Sequence, residues 1–215
     1  MFRERIRVRF ARKGDVRFVA HQDLMRVFER ALRRTGLPLR LTEGFNRHIR
    51  LSFPLPLAVG WEAENEAMEF DLADWISAKE VQTRLAEQLP PGLTATEFAL
   101  VQGGETAQAV EAEYGVTPVS DEFARRISQE LLDSFLARGE FEVERLRKNR
   151  TKRVNVRPYI LELRLNGAGL TMRMGVSQDG TSRPEEVLEG LGFSAAEARE
   201  GFRIVRTRVK LKGDF

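Results

Sequence analysis

Apolar and charged residues alternate along the first ten residues of the chain. Ile6, Val8 and Phe10 fall on one face of an extended segment. The other face carries an arginine at every position, which we call the N-terminal comb: Arg3, Arg5, Arg7 and Arg9. A period of two is typical of a strand with one buried face. The pattern predicts a first strand with the comb on its outer side.

The period changes to three and four between His21 and Thr35, which predicts a helix with one buried stripe. The stripe consists of Leu24, Val27, Phe28, Ala31 and Leu32. Four arginines lie off the stripe: Arg26, Arg30, Arg33 and Arg34. Gly36 and Pro38 are expected to end the helix, because glycine adopts the left-handed cap conformation and proline cannot continue a helix.

The remaining patterns of the first half predict three more strands and one more helix. Residues 39–42 and 49–53 are predicted as extended arms bent at Gly44, Phe45 and Asn46, and residues 68–72 and 94–101 as strands. Ser77 and Glu80 have the spacing of a capping box at the start of a helix that runs to about residue 88. The order of elements is strand, helix, strand, strand, helix, strand, which is the ferredoxin-like pattern.

A similar order is predicted after the polar link Gly103-Gly104-Glu105. Strands are expected at 108–116, 141–147, 154–165, 170–176 and 203–211, one helix at 121–138, and short helices begun by Pro184 and Ser194. Asn166-Gly167 predicts a tight hairpin turn. The last strand carries a second series of cations, the C-terminal comb, opposite Val205, Thr207, Val209 and Leu211: Arg206, Arg208, Lys210 and Lys212.

We therefore predict an α+β protein made of two tandem ferredoxin-like (βαββαβ) units with antiparallel sheets. The first domain is expected at 1–102. The second is expected at 106–215, with an additional basic strand arm.

Composition excludes several chemistries. The 215 residues include no cysteine and only two histidines, so thiolate zinc sites, a cysteine nucleophile and an iron–sulfur cluster held by this chain are not expected. No cofactor or metal site is predicted. Apolar runs are short and no leader pattern opens the chain, so we expect no membrane segment and a cytoplasmic location.

Charge is strongly segregated although the net charge is only +3. Residues 1–60 have a net charge of +9, residues 61–140 of −12 and residues 141–215 of +6. This pattern fits a surface that faces a polyanion such as RNA. It fits equally well a fold in which the combs lie against the acidic segment of Glu62, Glu64, Glu66, Glu69 and Asp71.

Three segments carry a resemblance to a known family: RFVAHQDLMRVFERALRRTGLPL, GFNRHIRLSFPLPLAVG and KRVNVRPYILELRLN. They are similar to the bacterial radical-SAM-associated domain of unknown function, often fused to or encoded beside a cobalamin-binding radical-SAM protein. This chain has Ala20 where relatives usually have serine, and Arg47 and Ile49 at two proline positions. The resemblance implies a radical-SAM protein as partner. The common gene neighbours, a ribonuclease of the G/E type and ribosomal proteins, imply a role in RNA or ribosome maturation.

The two histidines are the candidate catalytic residues. His21, in the first turn of the predicted helix, could act as a general acid or base, or as a capping residue. His48 alternates with Asn46 and Arg50 along an extended segment, which places the three on one face. With Phe45 they could bind an unpaired base and a phosphate. Alternatively, they could form a structural turn in which Asn46 adopts unusual dihedral angles and Phe45 fills the core.

The second candidate surface is a run of cations after residue 144. It comprises Arg145, Arg147, Lys148, Arg150, Lys152, Arg153 and Arg157, with no acidic residue between the first and the last. On a hairpin such a run could follow a phosphate backbone. The alternative is a solvated loop that docks on the acidic segment.

Three hypotheses follow. The leading one is an RNA-binding accessory protein that works with a radical-SAM enzyme or in RNA maturation. Its predicted nucleic-acid-binding residues are Arg26, Arg30, Phe45, Asn46, His48, Arg50, Arg147, Lys148, Arg150, Lys152, Arg153 and Arg157. One alternative is a metal-independent RNA-processing endonuclease that uses His21 or His48. With its tandem ferredoxin-like domains the chain would resemble the CRISPR repeat-RNA endonucleases at the level of the fold. The other alternative is a protein-interaction module without nucleic acid.

Overall fold

The computed structural model describes residues 4–101, 106–147, 150–167 and 169–214 as a mixed α+β protein. The strands are β1 (Glu4–Arg12), β2 (Leu51–Ser52), β3 (Glu62–Leu72), β4 (Leu93–Val101), β5 (Ala109–Pro118), β6 (Glu142–Arg147), β7 (Arg150–Asn155), β8 (Ile160–Asn166), β9 (Gly169–Gly175) and β10 (Phe202–Leu211). The helices are α1 (His21–Arg34), α2 (Ala78–Ala86), α3 (Asp121–Arg125), α4 (Gln129–Leu136), α5 (Pro184–Gly190) and α6 (Ala195–Glu200). Short 3-10 helices cover Gly14–Phe18 and Arg157–Tyr159.

The chain separates into two compact units. The first comprises Met1–Gln108 and Leu211–Phe215, and the second Ala109–Lys210. The predicted α+β class and the mostly antiparallel pairing are confirmed. The predicted domains 1–102 and 106–215 stay a prediction, and the link Gly103-Gly104-Glu105 lies outside the described residues.

In the first unit, two helices cover one face of an antiparallel sheet. The strand order is β4-β1-β3, and β2 pairs with β3. The core forms where the apolar face of β1 meets the apolar stripe of α1, as the alternation and the helical spacing predict. Its fully buried side chains include Ile6, Val8, Phe28, Ala31, Leu32, Met68, Phe70, Leu72, Val81 and Leu85. Ser77 caps α2 by accepting a hydrogen bond from the Glu80 amide.

The second unit contains a four-stranded sheet in the order β10-β5-β9-β8 and a separate two-stranded sheet of β6 and β7. Phe123, Phe193 and Phe202 pack ring against ring, with centroids 4.8 to 6.1 Å apart. Ser194 and Glu197 form the predicted capping box of α6. The predicted hairpin joins β8 and β9, with Gly167 at a φ of 59°.

The single helix predicted at 121–138 is wrong. The segment forms two helices, α3 and α4, with residues 126–128 between them. Ser128 has an extended backbone, and its hydroxyl accepts a hydrogen bond from the Leu131 amide. A serine can therefore restart a helix inside a continuous apolar stripe, because its side chain satisfies an amide that would otherwise lack a partner.

The single strand predicted at 154–165 is also wrong. It is interrupted by the 3-10 helix at Arg157–Tyr159, which contains Pro158. The Asn155 side-chain oxygen accepts hydrogen bonds from the amides of Phe141 and Arg157. The carboxamide and the fixed φ of proline together turn the chain between β7 and β8.

The N-terminal comb is not exposed. Arg5 pairs with Asp71 and Glu69, Arg7 with Glu69 and Asp214, and Arg9 with Asp214. Arg3 lies outside the described residues. The sequence left open whether this comb faces a polyanion or lies against the acidic segment, and in the structure its described arginines are paired with carboxylates. The reason is the register of β1 and β3, which places Arg5 beside Asp71 and Arg7 beside Glu69.

The C-terminal comb does not share a single outer face. Arg206 is buried, whereas Arg208 and Lys212 are exposed. The buried positions of β10 change from Phe202, Ile204 and Arg206 to Val209 and Leu211. The alternation must break between residues 206 and 209, because a regular strand buries every second residue. The prediction that Arg206 shares one face with Arg208, Lys210 and Lys212 is therefore wrong.

Candidate nucleic-acid interface

The first candidate surface is formed by one side of α1 and the loop that precedes β2. We call it the loop–helix surface and define it by these residues: Arg26, Glu29, Arg30, Arg33 and 43–50. Arg26, Arg30 and Arg33 follow a spacing of four and three, so they lie on one side of α1. All three are exposed, as predicted from their positions off the buried stripe.

The loop 43–47 is closed at its base by two hydrogen bonds between Thr42 and His48. The Thr42 amide donates to the His48 carbonyl oxygen at 2.7 Å, and the His48 amide donates to Thr42 Oγ1 at 3.0 Å. Ile49 is buried and bridges to Leu41, which fixes the base of the loop on the core. His48 and Arg50, on either side of Ile49, are exposed as the alternation predicts.

Phe45 lies at the tip of this loop and is 105% exposed. The structural alternative, in which Phe45 fills the core, is therefore wrong. Gly44 beside it has a φ of 122°, a conformation that side chains disfavour, so the turn depends on glycine at this position. Every residue from Glu43 to His48 is exposed, and none besides Phe45 is a large apolar residue.

The loop is held against α1 by Arg33 and Glu29. Arg33 Nη2 donates to Glu29 Oε1 at 2.8 Å and to the Arg47 carbonyl oxygen at 3.4 Å. His48 Nδ1 lies 3.7 Å from Glu29 Oε1. The hydrogen bond from Arg33, with the nearby charges of Arg33 and His48, lowers the pKa of Glu29 although partial burial opposes the shift. Glu29 and Arg33 were not among the predicted binding residues, because their contact with the loop is made only in the folded chain.

His21 occupies a different setting. It is the first residue of α1, and Ala20 holds the N-cap position. Its ring packs edge-on against Phe53 at a centroid distance of 5.5 Å. Phe53 in turn contacts the core rings of Phe10 and Phe28. His21 thus packs at the border of the aromatic core.

The second candidate surface is the β6–β7 hairpin. The antiparallel register places Arg145 opposite Lys152 and Glu144 opposite Arg153. The first four residues of β7 are all exposed: Arg150, Thr151, Lys152 and Arg153. Lys148, predicted at the turn, lies outside the described residues, and Arg147 is described only through its backbone pairing with Arg150.

The base of the hairpin is fixed by Arg145. Its guanidinium donates two hydrogen bonds to the Glu186 carboxylate, at 2.7 and 2.6 Å, and one to the Thr181 carbonyl oxygen at 2.7 Å. Glu186 also accepts from the Arg183 amide at the start of α5. Arg145 therefore connects the hairpin to α5, which the run of cations in the sequence did not indicate.

Arg157 is also engaged within the fold. Its guanidinium donates to three carbonyl oxygens, those of Leu136, Arg138 and Ile160, at 2.5 to 3.1 Å. These bonds tie the C-terminal end of α4 to the start of β8. Among the described cations of the run, Arg150, Lys152 and Arg153 thus remain on the surface, and Arg153 alone of the three pairs with an acidic residue, Glu144.

No metal-binding cluster accompanies these surfaces. Within residues 4–101, 106–147, 150–167 and 169–214, no three acidic or histidine side chains are grouped so that they could hold a metal ion. In the same ranges no helix is long and apolar enough to cross a membrane. The described chemistry of the two candidate surfaces is that of cations, amides and the exposed ring of Phe45.

These observations define the chain as an α+β protein with one basic surface in each of its two units. The chain belongs to a family described as an uncharacterized protein conserved in bacteria (DUF2344), whose model matches residues 5–184. None of the curated proteins matches it.

Two solved structures are similar over nearly the full length of the chain. One, an unknown protein from Galdieria sulphuraria, has 17% identity and a TM-score of 0.28, with 98% of this chain and 99% of that chain covered. The other, described as an RAMP protein binding different RNA substrates, has 12% identity and a TM-score of 0.23, with 97% and 99% covered.

Proposed function

We propose that this protein binds RNA as an accessory protein in RNA or ribosome maturation. The observation that carries the proposal is the β6–β7 hairpin, where Arg150, Lys152 and Arg153 are exposed on one strand while Arg145 fixes the base. Exposed, closely spaced cations on a supported ribbon neutralise successive phosphates and release their counterions. The planar guanidinium groups add bidentate bonding to phosphate oxygens.

We further propose that both units are ferredoxin-like. If the four main strands of each unit are numbered in chain order, the order is 4-1-3-2 in the first unit and again in the second. This order, with helices after the first and third strands, supports the βαββαβ pattern expected from the sequence. The domain division at 1–102 and 106–215 is part of the same proposal.

RNA binding is tested by titrating fragments of tRNA and rRNA at several salt concentrations. The key variant replaces Arg150, Lys152 and Arg153 with alanine. Each lost phosphate contact lowers the slope of log affinity against log salt by about 0.7 for a single strand, so we expect a slope about 2 units shallower, together with weaker binding at low salt.

The control replaces three exposed cations on helices of the protein, Lys79, Arg125 and Arg199, with alanine. It removes the same charge and should leave the slope close to that of the original protein. Absence of salt-sensitive RNA binding at low ionic strength would reject the proposed function. Equal slopes for the two triple variants would reject the hairpin as the site.

A radical-SAM enzyme as partner is proposed on the resemblance alone. This partner is tested by co-purification of the two proteins after nuclease treatment. Co-purification that survives the nuclease would also support the alternative of a protein-interaction module. The metal-independent endonuclease stays a prediction: it requires cleavage in the presence of a chelator that is lost in His21→Ala or His48→Ala.

A further inference from the structure

We infer that the loop–helix surface binds unpaired RNA, with one unstacked base lying on the ring of Phe45. This inference rests on the proposed function and specifies the class of RNA that the first unit takes. It concerns a surface separate in the chain from the β6–β7 hairpin, and it depends on an aromatic contact in addition to charge.

The exposure of Phe45 is the first step. Phe45 is 105% exposed, so its whole ring is accessible to a ligand, and covering the ring would remove apolar surface from water. The loop that carries it is not a loose segment, since the Thr42–His48 hydrogen bonds and the buried Ile49 close its base. The ring is therefore presented on a supported turn.

The surroundings of the ring decide between two kinds of partner. Binding hot spots between proteins lie in well-packed patches from which water is excluded. Phe45 instead has only polar residues and glycine as its neighbours from Glu43 to His48. A single ring among cations and amides suits a nucleobase, which stacks through its π-face and is flanked by phosphates.

The cations needed for those phosphates are present and unoccupied. In the described part of the chain, the side chains of Arg30, Arg47 and Arg50 make no hydrogen bond or ion pair with another residue. Arg33, in contrast, is committed to Glu29 and to the loop backbone. Asn46, next to Phe45, offers a carboxamide that can pair with the edge of a base. These groups supply the ring, the amide and the cations that a stacked nucleotide and its phosphates require.

The base must be unpaired. In a duplex both faces of each base are covered by neighbouring bases, and the edges of an A-form helix are poorly accessible to side chains. An exposed ring on a turn can take only a base that has left such a stack, in a single strand, a loop or a bulge. The loop–helix surface should therefore distinguish single-stranded from double-stranded RNA, whereas phosphate contacts alone would bind both.

The test compares labelled single-stranded RNA of about a dozen nucleotides, within the usual site size of such proteins, with the same sequence annealed to its complement. Phe45→Ala should weaken single-strand binding by about 5- to 150-fold, the loss expected for one stacked base. Phe45→Trp should restore it, because tryptophan also stacks. Duplex binding should be the same in all three proteins.

Phe18→Ala is the matched control. Phe18 is also an exposed phenylalanine of the first unit, 58% exposed, but the guanidinium of Arg17 lies 4.7 Å from its ring centroid and covers one face. This variant should bind single-stranded RNA as tightly as the original protein.

The other outcomes each reject the inference. If Phe45→Ala binds single-stranded RNA as tightly as Phe18→Ala does, the inference is overturned while the proposed function stands. The same would follow if Phe45→Ala weakened duplex binding equally, or if it abolished co-purification with a protein and left the RNA affinity intact. If the original protein binds no RNA at low salt, the proposed function is overturned as well.

Discussion

Replacement of Glu69 with alanine is expected to lower the free energy of unfolding of the first unit by about 3 to 5 kcal/mol, the usual cost of breaking a buried ion pair. The Glu69 side chain is only 1% exposed. It accepts hydrogen bonds from Arg7 Nε at 3.0 Å and from the Ala107 amide at 2.9 Å, and it lies 3.7 Å from Arg5 Nη1. Its removal leaves two largely buried guanidinium groups short of one counter-charge.

The measurement is urea unfolding followed by tryptophan fluorescence. Both tryptophans, Trp61 and Trp75, belong to the first unit, so the signal reports this unit. Urea is preferred because it is uncharged and leaves ion pairs unscreened.

Glu64→Ala is the control, because Glu64 lies on the same strand as Glu69 but its side chain is 52% exposed and pairs with Lys13 at 3.7 Å. Exposed pairs of this kind contribute about 1 kcal/mol or less. Equal destabilisation by the two variants would mean that the paired N-terminal comb does not stabilise the first unit.

Replacement of Arg145 with alanine is expected to destabilise the second unit by about 3 kcal/mol. This value is the low end of the range for buried pairs, because the Arg145 side chain is 21% exposed. The loss leaves the Glu186 carboxylate without a cation and the Thr181 carbonyl oxygen without its donor. Unfolding followed by circular dichroism measures the change.

Arg153→Ala provides the comparison for Arg145→Ala. Arg153 lies on the same hairpin and also pairs with a glutamate, but its side chain is 72% exposed, so a change below about 1 kcal/mol is expected. The double variant Arg145→Ala/Glu186→Gln tests the mechanism. It should be less destabilised than the sum of the single variants, because it removes the unpaired charge. Strict additivity would show that the ion pair is not the cause.

The two arginines also separate stability from binding. Arg153→Ala should weaken RNA binding through the hairpin while leaving the fold intact. Arg145→Ala should instead destabilise the fold, because it removes the hydrogen bonds that hold the base of the hairpin to Glu186 and Thr181. The run of cations in the sequence does not distinguish the two residues, since both are arginines within a few positions of each other. Only the contact of Arg145 with α5, 41 residues later in the chain, assigns it a structural role.

Elements with local signals were predicted well. The alternation in β1, the stripe of α1, the serine caps at Ser77 and Ser194 and the turn at Asn166-Gly167 all depend on residues within one or two turns of each other. The errors at 121–138 and 154–165 arose where one side chain, Ser128 or Asn155, bonds to the backbone and interrupts a longer pattern. Such a bond competes with regular structure and is not visible in periodicity.

The candidate sites divide in the same way. The sequence by itself determined that Phe45, Asn46, His48 and Arg50 follow a glycine turn, and that α1 carries its arginines away from the core. Only the tertiary structure decided which cations are free. It pairs Arg5, Arg7 and Arg9 with carboxylates, among them Asp214 some 205 residues away, and leaves the arginines of the loop and of β7 exposed. The reason is that ion pairing depends on distance in space, and residue type sets the charge but not its partner.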